Sequence, residues 1–171
     1  MIYTGKVWKF GNNISTDLMM PGAAVLAKPG IEDTEAAKFC MVANRPGWAK
    51  QVQPGDIIVA GSNFGCGSSR PAPRLLRALG ISVVVANSVA RLFFRNSIHL
   101  GFPILICPNV NETFEEGDTA EINVQTGTVK NLTNSLLLQG EALPKDSPPY
   151  QILEAGGLTP FLEAVVRKMN A

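Results

Sequence analysis

The sequence predicts an α/β protein built on a parallel βαβαβ core. Three continuous apolar runs, at residues 56–60, 81–86 and 102–107, are rich in β-branched side chains and typical of strands covered on both faces. Two segments with helical spacing separate these runs, and they end at Gly80 and Gly101. Strands and helices that alternate at this spacing predict right-handed crossovers and a parallel sheet.

Upstream of this core we expect one strand and one helix. Polar and apolar residues alternate over residues 3–10, which predicts a half-buried strand. Residues 32–43 have helical composition. The inward face of this helix is expected to consist of Ala36, Ala37, Phe39, Cys40 and Val42. The small apolar residues from 23 to 30 form either a loop that covers a site or an irregular connection.

Downstream of the core the pattern changes to shorter, turn-rich segments. Residues 107–145 predict a small antiparallel extension, with strands at 119–124, 128–132 and 135–139. Residues 148–171 predict a helical tail that is interrupted at Gly156-Gly157 and resumes at Pro160. A length of 171 residues is most simply interpreted as a single domain, residues 1–171.

Composition and charge exclude several classes of function. Fifteen basic and fourteen acidic residues give a net charge of +1, so we expect no nucleic acid and no membrane surface as partner. Cys40, Cys66 and Cys107 are widely spaced, which argues against disulfides and against a self-contained metal or iron–sulfur site. No signal region or membrane-spanning run is present, so the default expectation is a cytoplasmic protein.

The glycine-rich stretch from Gly61 to Arg70 is the main candidate site. Ser68 and Ser69 are predicted at the cap and first turn of the helix that follows it. Free helix N–H groups, hydroxyls and a guanidinium suit a carboxylate or a phosphate, although a serine-capped βα turn is an equally good interpretation. Ser88 is expected to cap the second helix, at the carboxyl end of the neighbouring strand, where ligands bind in parallel sheets.

Four segments, in this order, carry a resemblance to a known family. They are Asn-Ile-Ser-Thr-Asp at 13–17, Gly-Ser-Asn-Phe-Gly-Cys-Gly-Ser-Ser-Arg at 61–70, the segment 88–96 and Gly-Phe-Pro at 101–103. Together they closely resemble the small subunit of the aconitase and isopropylmalate isomerase family, its swivelling β/β/α domain. The resemblance is strong over residues 1–107 and extends further only by length and general pattern.

The resemblance implies a hydro-lyase that removes water from a hydroxy-acid and adds it back. The chain would be active only in a heterodimer or heterotetramer with a large subunit, whose 4Fe-4S cluster is a Lewis acid. No cofactor and no metal ligand are expected on this chain.

The resemblance also implies roles for single residues. Ser68 matches the general base that takes the proton next to a carboxylate, and its alkoxide needs a stabilising environment. Arg70 matches the arginine that binds a substrate carboxylate, for which bidentate geometry is the reason. Ser69 is expected to contribute to the same pocket. Asp17 matches an acidic residue that orients a histidine of the partner subunit.

Two departures from the family pattern bear on function. Pro71-Ala72-Pro73 replaces a segment that usually carries an acidic residue, which keeps open a non-catalytic, anion-binding α/β module. The loop that contacts substrate offers Val25, Leu26 and Lys28 and no arginine. This favours 2-isopropylmalate, hence leucine biosynthesis, with dimethylmalate as a related substrate, over homoaconitate, methylcitrate or citrate.

Overall fold

One seven-stranded sheet runs through the computed structural model, which describes residues 1–20, 22, 30–67, 70 and 72–170. Its strands are β1 (Ile2–Phe10), β2 (Ile57–Ala60), β3 (Val83–Ala86), β4 (Ile104–Ile106), β5 (Thr119–Asn123), β6 (Thr128–Asn131) and β7 (Leu136–Gln139). Their order across the sheet is β4-β3-β2-β1-β5-β6-β7. β1 to β4 are mutually parallel, which confirms the parallel core, and β5 to β7 are antiparallel.

Helices connect and cover these strands. They are α1 (Thr16–Met19), α2 (Asp33–Ala37), α3 (Ala72–Leu79), α4 (Arg91–His99), α5 (Val110–Thr113), α6 (Pro148–Glu154) and α7 (Leu158–Met169), with a 3-10 turn at Trp48–Lys50. The glycine break in the tail is confirmed. Gly101 ends α4 with a φ of 66°, as predicted. No helix within the described ranges is long and apolar enough to cross a membrane.

The predicted helix over residues 32–43 is wrong in length. The helix ends at Ala37, and Met41 adopts a left-handed φ of 59°, which a continuing α-helix does not permit. Ala36, Ala37 and Cys40 are buried as expected, but Phe39 and Val42 are exposed. The remaining turns bring Met41, rather than these two residues, into the core.

β1 belongs to both halves of the sheet. Its second half, Val7 to Phe10, pairs in parallel with β2. Its first half, Ile2 to Lys6, pairs antiparallel with β5. The predicted antiparallel extension is therefore confirmed as a set of strands, but it continues the core sheet instead of standing beside it.

The central strands separate two hydrophobic cores. Ile58 and Val84 face the side that α3 and α4 cover, whereas Val59 and Val85 face a second core against α5, β5 and β6. Every residue of β2 and β3 is buried, which confirms the prediction that the apolar runs are covered on both faces.

Gly5 lies close to the change of partner strand, which falls between Lys6 and Val7 of β1. A Cβ at this position would lie 2.1 Å from the backbone oxygen of Gly55. Three residues later the buried Trp8 Nε1 donates to the buried carboxylate of Asp56 at 2.6 Å. The start of β2 is thus held against β1 by one close backbone approach and one buried charge-assisted hydrogen bond.

Replacing Gly5 with alanine tests this junction. The methyl group would overlap a backbone oxygen that side-chain rotation cannot move, so we expect Gly5→Ala to lower the free energy of unfolding by about 1–3 kcal/mol. Gly11→Ala is the matched control because nothing lies within 4 Å of a Cβ there. The free energy of unfolding of both variants is measured in urea. Equal values would contradict the role of Gly5 in the close approach to Gly55.

Candidate functional site

The glycine-rich segment 61–67 is paired with the chain that follows β1. Gly65 N–H donates to the Ile14 carbonyl at 2.8 Å, and Thr16 N–H donates to the Cys66 carbonyl at 2.8 Å. These bonds form an isolated parallel bridge beyond the ends of β1 and β2. The segment therefore continues the sheet and is not a free βα turn.

The other side of the segment is paired with the chain that follows β3. Phe64 N–H donates to the Ser88 carbonyl at 3.0 Å, and Ala90 N–H donates to the Phe64 carbonyl at 2.9 Å. The Ser88 hydroxyl oxygen accepts from the Asn63 N–H at 2.8 Å. The prediction that Ser88 caps the second helix is wrong, because Ala90 is the N-cap and makes no side-chain cap bond.

Two glycines allow the segment to lie this close to its neighbours. Gly65 has a φ of 78°, and a Cβ there would lie 2.2 Å from the ring of Phe93. Phe93 in turn packs edge-to-face on Phe64, with ring centroids 5.4 Å apart. Gly67 has a φ of 96°, and a Cβ there would lie 3.4 Å from a carboxylate oxygen of Asp17. α4 and α1 are thereby fixed on either side of the segment.

Asp17 lies in the first turn of α1, next to Gly67. Ser15 caps this short helix, since its hydroxyl accepts from the Leu18 N–H at 3.3 Å. The Asp17 side chain stays about half exposed at the carboxyl end of β1.

Arg70 reaches Asp17 across the segment. Its Nε lies 2.6 Å from a carboxylate oxygen of Asp17, and its Nη1 donates to the Met20 carbonyl at 2.9 Å. Gly22 leaves room for the guanidinium, since a Cβ there would lie 2.8 Å from Nη1. These contacts use two of five N–H groups and leave a third of the side chain exposed. The structure thus brings together the two described residues that the resemblance assigned to the site.

The other assigned residues lie outside the described part of the chain. They are Ser68 and Ser69 of the motif and Val25, Leu26 and Lys28 of the loop. The following helix is described from Ala72, and Arg70 precedes it. The prediction that Ser68 and Ser69 lie at the cap and first turn of this helix therefore falls outside the described residues.

The cysteines do not form a cluster-binding set. Cys40 and Cys107 lie in different hydrophobic cores on opposite faces of the sheet. Burial raises the pKa of the Cys40 thiol to about 12 and that of Cys107 to about 11, so both are protonated at neutral pH. Among the described residues no group of three or more His, Cys, Asp or Glu side chains could hold a metal ion.

The asparagine side chains that support the segment were not predicted from the sequence. Asn12 Oδ1 accepts from the Ser62 N–H at 2.7 Å, and Asn63 Nδ2 donates to Asn13 Oδ1 at 2.9 Å. Asn63 itself has a left-handed φ of 59°, which asparagine tolerates better than most residues. The only local signal was the Asn-Asn pair after the first strand, which predicts a turn but not its contacts.

Known proteins share both the sequence and the fold. Residues 11–108 match the aconitase C-terminal domain family. The chain is 49% identical to the isopropylmalate/citramalate isomerase small subunit of Methanocaldococcus jannaschii, over 95% of this chain and 94% of that protein. It is 42% identical to the 3-isopropylmalate dehydratase small subunit of Heliobacterium modesticaldum, over 97% and 98%. The crystal structure of 3-isopropylmalate dehydratase (leuD) from M. jannaschii matches with a TM-score of 0.89, 32% identity and full coverage of both chains.

Proposed function

Because this chain belongs to the aconitase family, as a small subunit of the 3-isopropylmalate dehydratase type, we propose that it acts with a large subunit to interconvert 2- and 3-isopropylmalate. The observation that carries this proposal is the Arg70–Asp17 pair beside the glycine-rich segment. The reaction belongs to leucine biosynthesis, and we expect it in the cytoplasm.

Arg70 is the residue we assign to a substrate carboxylate. Among the described residues, Asp17 and the Met20 carbonyl engage two of the five guanidinium N–H groups, and we assign the others to the substrate carboxylate. Planar, bidentate recognition of a carboxylate by arginine is stronger and more directional than contact with a lysine ammonium. The guanidinium is therefore oriented before substrate binds, which lowers the entropic cost of binding.

Asp17 serves this site in two ways. It holds the Nε of Arg70, and its half-exposed carboxylate is accessible to a histidine of the partner subunit. A carboxylate that accepts a hydrogen bond from an imidazole fixes the tautomer and orientation of that ring. We therefore assign Asp17 a positioning role and not that of the base.

Ser68 is the residue we assign as the base, with Ser69 in the carboxylate pocket. The base takes a proton from the carbon next to a carboxylate while the hydroxyl leaves the neighbouring carbon. Water then adds back with proton and hydroxyl exchanged between the two carbons. Because a serine hydroxyl is a very weak acid, its alkoxide needs positive charge nearby, and Arg70 is two residues away in the chain.

We place the cofactor on the partner subunit. A 4Fe-4S cluster supplies a Lewis acid to the leaving hydroxyl group. Cys40 and Cys107 lie in separate cores on opposite faces of the sheet, so they do not fit such a cluster. The large subunit is accordingly the partner that completes the site.

The substrate side chain is the second element of the proposal. We propose that Val25 and Leu26 contact the isopropyl group and that Lys28 supplies a further charge to the substrate. The relative from M. jannaschii is named for citramalate as well as isopropylmalate. Citramalate is therefore the second candidate, because it replaces the isopropyl group with a smaller apolar one.

An assay of the complete enzyme tests the substrate. We expect the chain, purified together with its cluster-bearing large subunit, to act on 2-isopropylmalate with the highest kcat/KM. Citramalate and dimethylmalate should follow, and citrate should be poorest because the loop has no arginine for a third carboxylate. Steady-state kinetics on the four acids is the measurement. Activity on citrate alone would contradict the assigned substrate. The chain without its large subunit serves as the negative control.

Replacement of Ser68 by alanine tests the base. A general base contributes typically 10²- to 10⁴-fold, so we expect kcat of Ser68→Ala to fall by at least about 100-fold. Because the change removes one hydroxyl, the complex should still assemble. Gel filtration of the complex and its kcat are the two measurements. Full activity of Ser68→Ala in an intact complex would show that Ser68 is not the base.

Substitution of lysine for Arg70 tests the carboxylate contact. Lysine keeps the positive charge but lacks the planar guanidinium that donates two parallel hydrogen bonds to a carboxylate. We therefore expect Arg70→Lys to lower kcat/KM by about 10- to 100-fold. Arg74→Lys is the matched control, since Arg74 pairs with Asp33 through the same kind of fork but away from Asp17. The control should retain nearly full kcat/KM. Equal losses in both variants would indicate a general structural effect.

A further inference from the structure

Gly22 faces the outer end of the Arg70 guanidinium. A Cβ at this position would lie 2.8 Å from Nη1, 3.3 Å from Nη2 and 3.5 Å from Cζ of Arg70. Both terminal nitrogens are nearer to that point than the carbon that joins them. A methyl group on residue 22 would therefore lie beyond the edge that Nη1 and Nη2 form.

The Nη1–Nη2 edge is the one that suits a further carboxylate. A guanidinium can donate two parallel hydrogen bonds from either of two edges, one formed by Nε and a terminal nitrogen and one formed by both terminal nitrogens. Asp17 occupies the first edge, since one of its carboxylate oxygens lies 2.6 Å from Nε. The Met20 carbonyl accepts from Nη1 at 2.9 Å, but each terminal nitrogen carries two N–H groups. Bidentate binding of a substrate carboxylate is therefore directed to the Nη1–Nη2 edge.

The backbone at Gly22 does not itself require a glycine. Gly22 has helical backbone conformation, which residues with a side chain adopt readily. Alanine is favoured over glycine in such backbone, because glycine loses more conformational freedom on folding. Gly65 and Gly67 differ in this respect, since their φ angles of 78° and 96° lie in the left-handed region. What distinguishes position 22 is the space in front of Arg70.

A side chain at position 22 would affect Arg70 more than the fold. The atoms that it would meet form the far end of a flexible side chain, which is about a third exposed and can rotate away. At Gly5, by contrast, an added Cβ would meet a backbone oxygen. Rotation of the guanidinium relieves the overlap at position 22, but it gives up the orientation that Asp17 and the Met20 carbonyl impose.

We propose that Gly22 is a positioning residue that keeps the Nη1–Nη2 edge of Arg70 open to a substrate carboxylate. This inference rests on the proposed function, in which Arg70 binds that carboxylate. Because Gly22 has no side chain, the guanidinium can stay against Asp17 and the Met20 carbonyl while its outer edge receives the two carboxylate oxygens. A methyl group on residue 22 would both displace the guanidinium and cover this edge.

Replacement of Gly22 by alanine tests this role in the complete enzyme. A contact that substrate and transition state make equally acts on KM, so we expect Gly22→Ala to raise KM for 2-isopropylmalate by about 10- to 100-fold and to change kcat less. Gly11→Ala is the matched control and should keep KM, because a Cβ there meets nothing within 4 Å. A variant that only folds or assembles poorly would lose kcat at an unchanged KM, and that result would overturn the proposal.

The combination with Arg70→Lys shows whether Gly22 acts through Arg70. A lysine side chain ends near the position of the arginine Cζ, which is 3.5 Å from the added Cβ and therefore in ordinary contact with it. In the Arg70→Lys background we expect Gly22→Ala to change KM by less than about 2-fold, since residues that act through one contact are not additive. Equal increases of KM in both backgrounds would contradict a role that depends on Arg70.

A measurement without substrate separates this inference from the proposed function. In proton–nitrogen correlation spectra of the isolated full chain, the Nε–H resonance of Arg70 is identified by its loss in Arg70→Lys. We expect Gly22→Ala to shift this resonance, because the guanidinium moves relative to Asp17, and Gly11→Ala to leave it in place. An unchanged resonance in Gly22→Ala would overturn the proposal. Inactivity of the unmodified complex on 2-isopropylmalate would contradict only the proposed function, and KM would then be compared on the acid that the complex does convert.

Discussion

The structure depends on the double pairing of one nine-residue strand. The first half of β1 pairs with β5 and its second half pairs with β2. This joins a parallel and an antiparallel set of strands into one sheet. Two-sided burial of β2 and β3 follows, because helices cover one face and the curled antiparallel strands cover the other. A side chain at Gly5 would obstruct this arrangement.

The same strand determines where the candidate site lies. Past the end of β1, the chain pairs with one side of the segment 61–67 and then forms α1, which carries Asp17. The Arg70–Asp17 ion pair is partly exposed, and such pairs contribute about 0–1 kcal/mol to stability. Its effect is therefore positional, since it fixes the orientation of the Arg70 guanidinium on which the proposed carboxylate contact depends.

The family assignment and the Arg70–Asp17 geometry support the proposal of an active site divided between two subunits. On this chain Arg70 is the proposed carboxylate ligand and Asp17 the proposed positioning residue, and the two form an ion pair. Cys40 and Cys107 lie in different cores on opposite faces of the sheet.

Local sequence patterns predicted the apolar strands, the Gly101 helix end and the glycine break in the tail, because steric preferences and periodicity act within a few residues. The motifs also identified the family and named Asp17 and Arg70. Only the tertiary structure decided that β1 is shared, that Ser88 supports Asn63 instead of capping a helix, and that Arg70 contacts Asp17. These contacts join residues at least 25 positions apart, and such hydrogen bonds depend on how strands assemble, which no local pattern encodes.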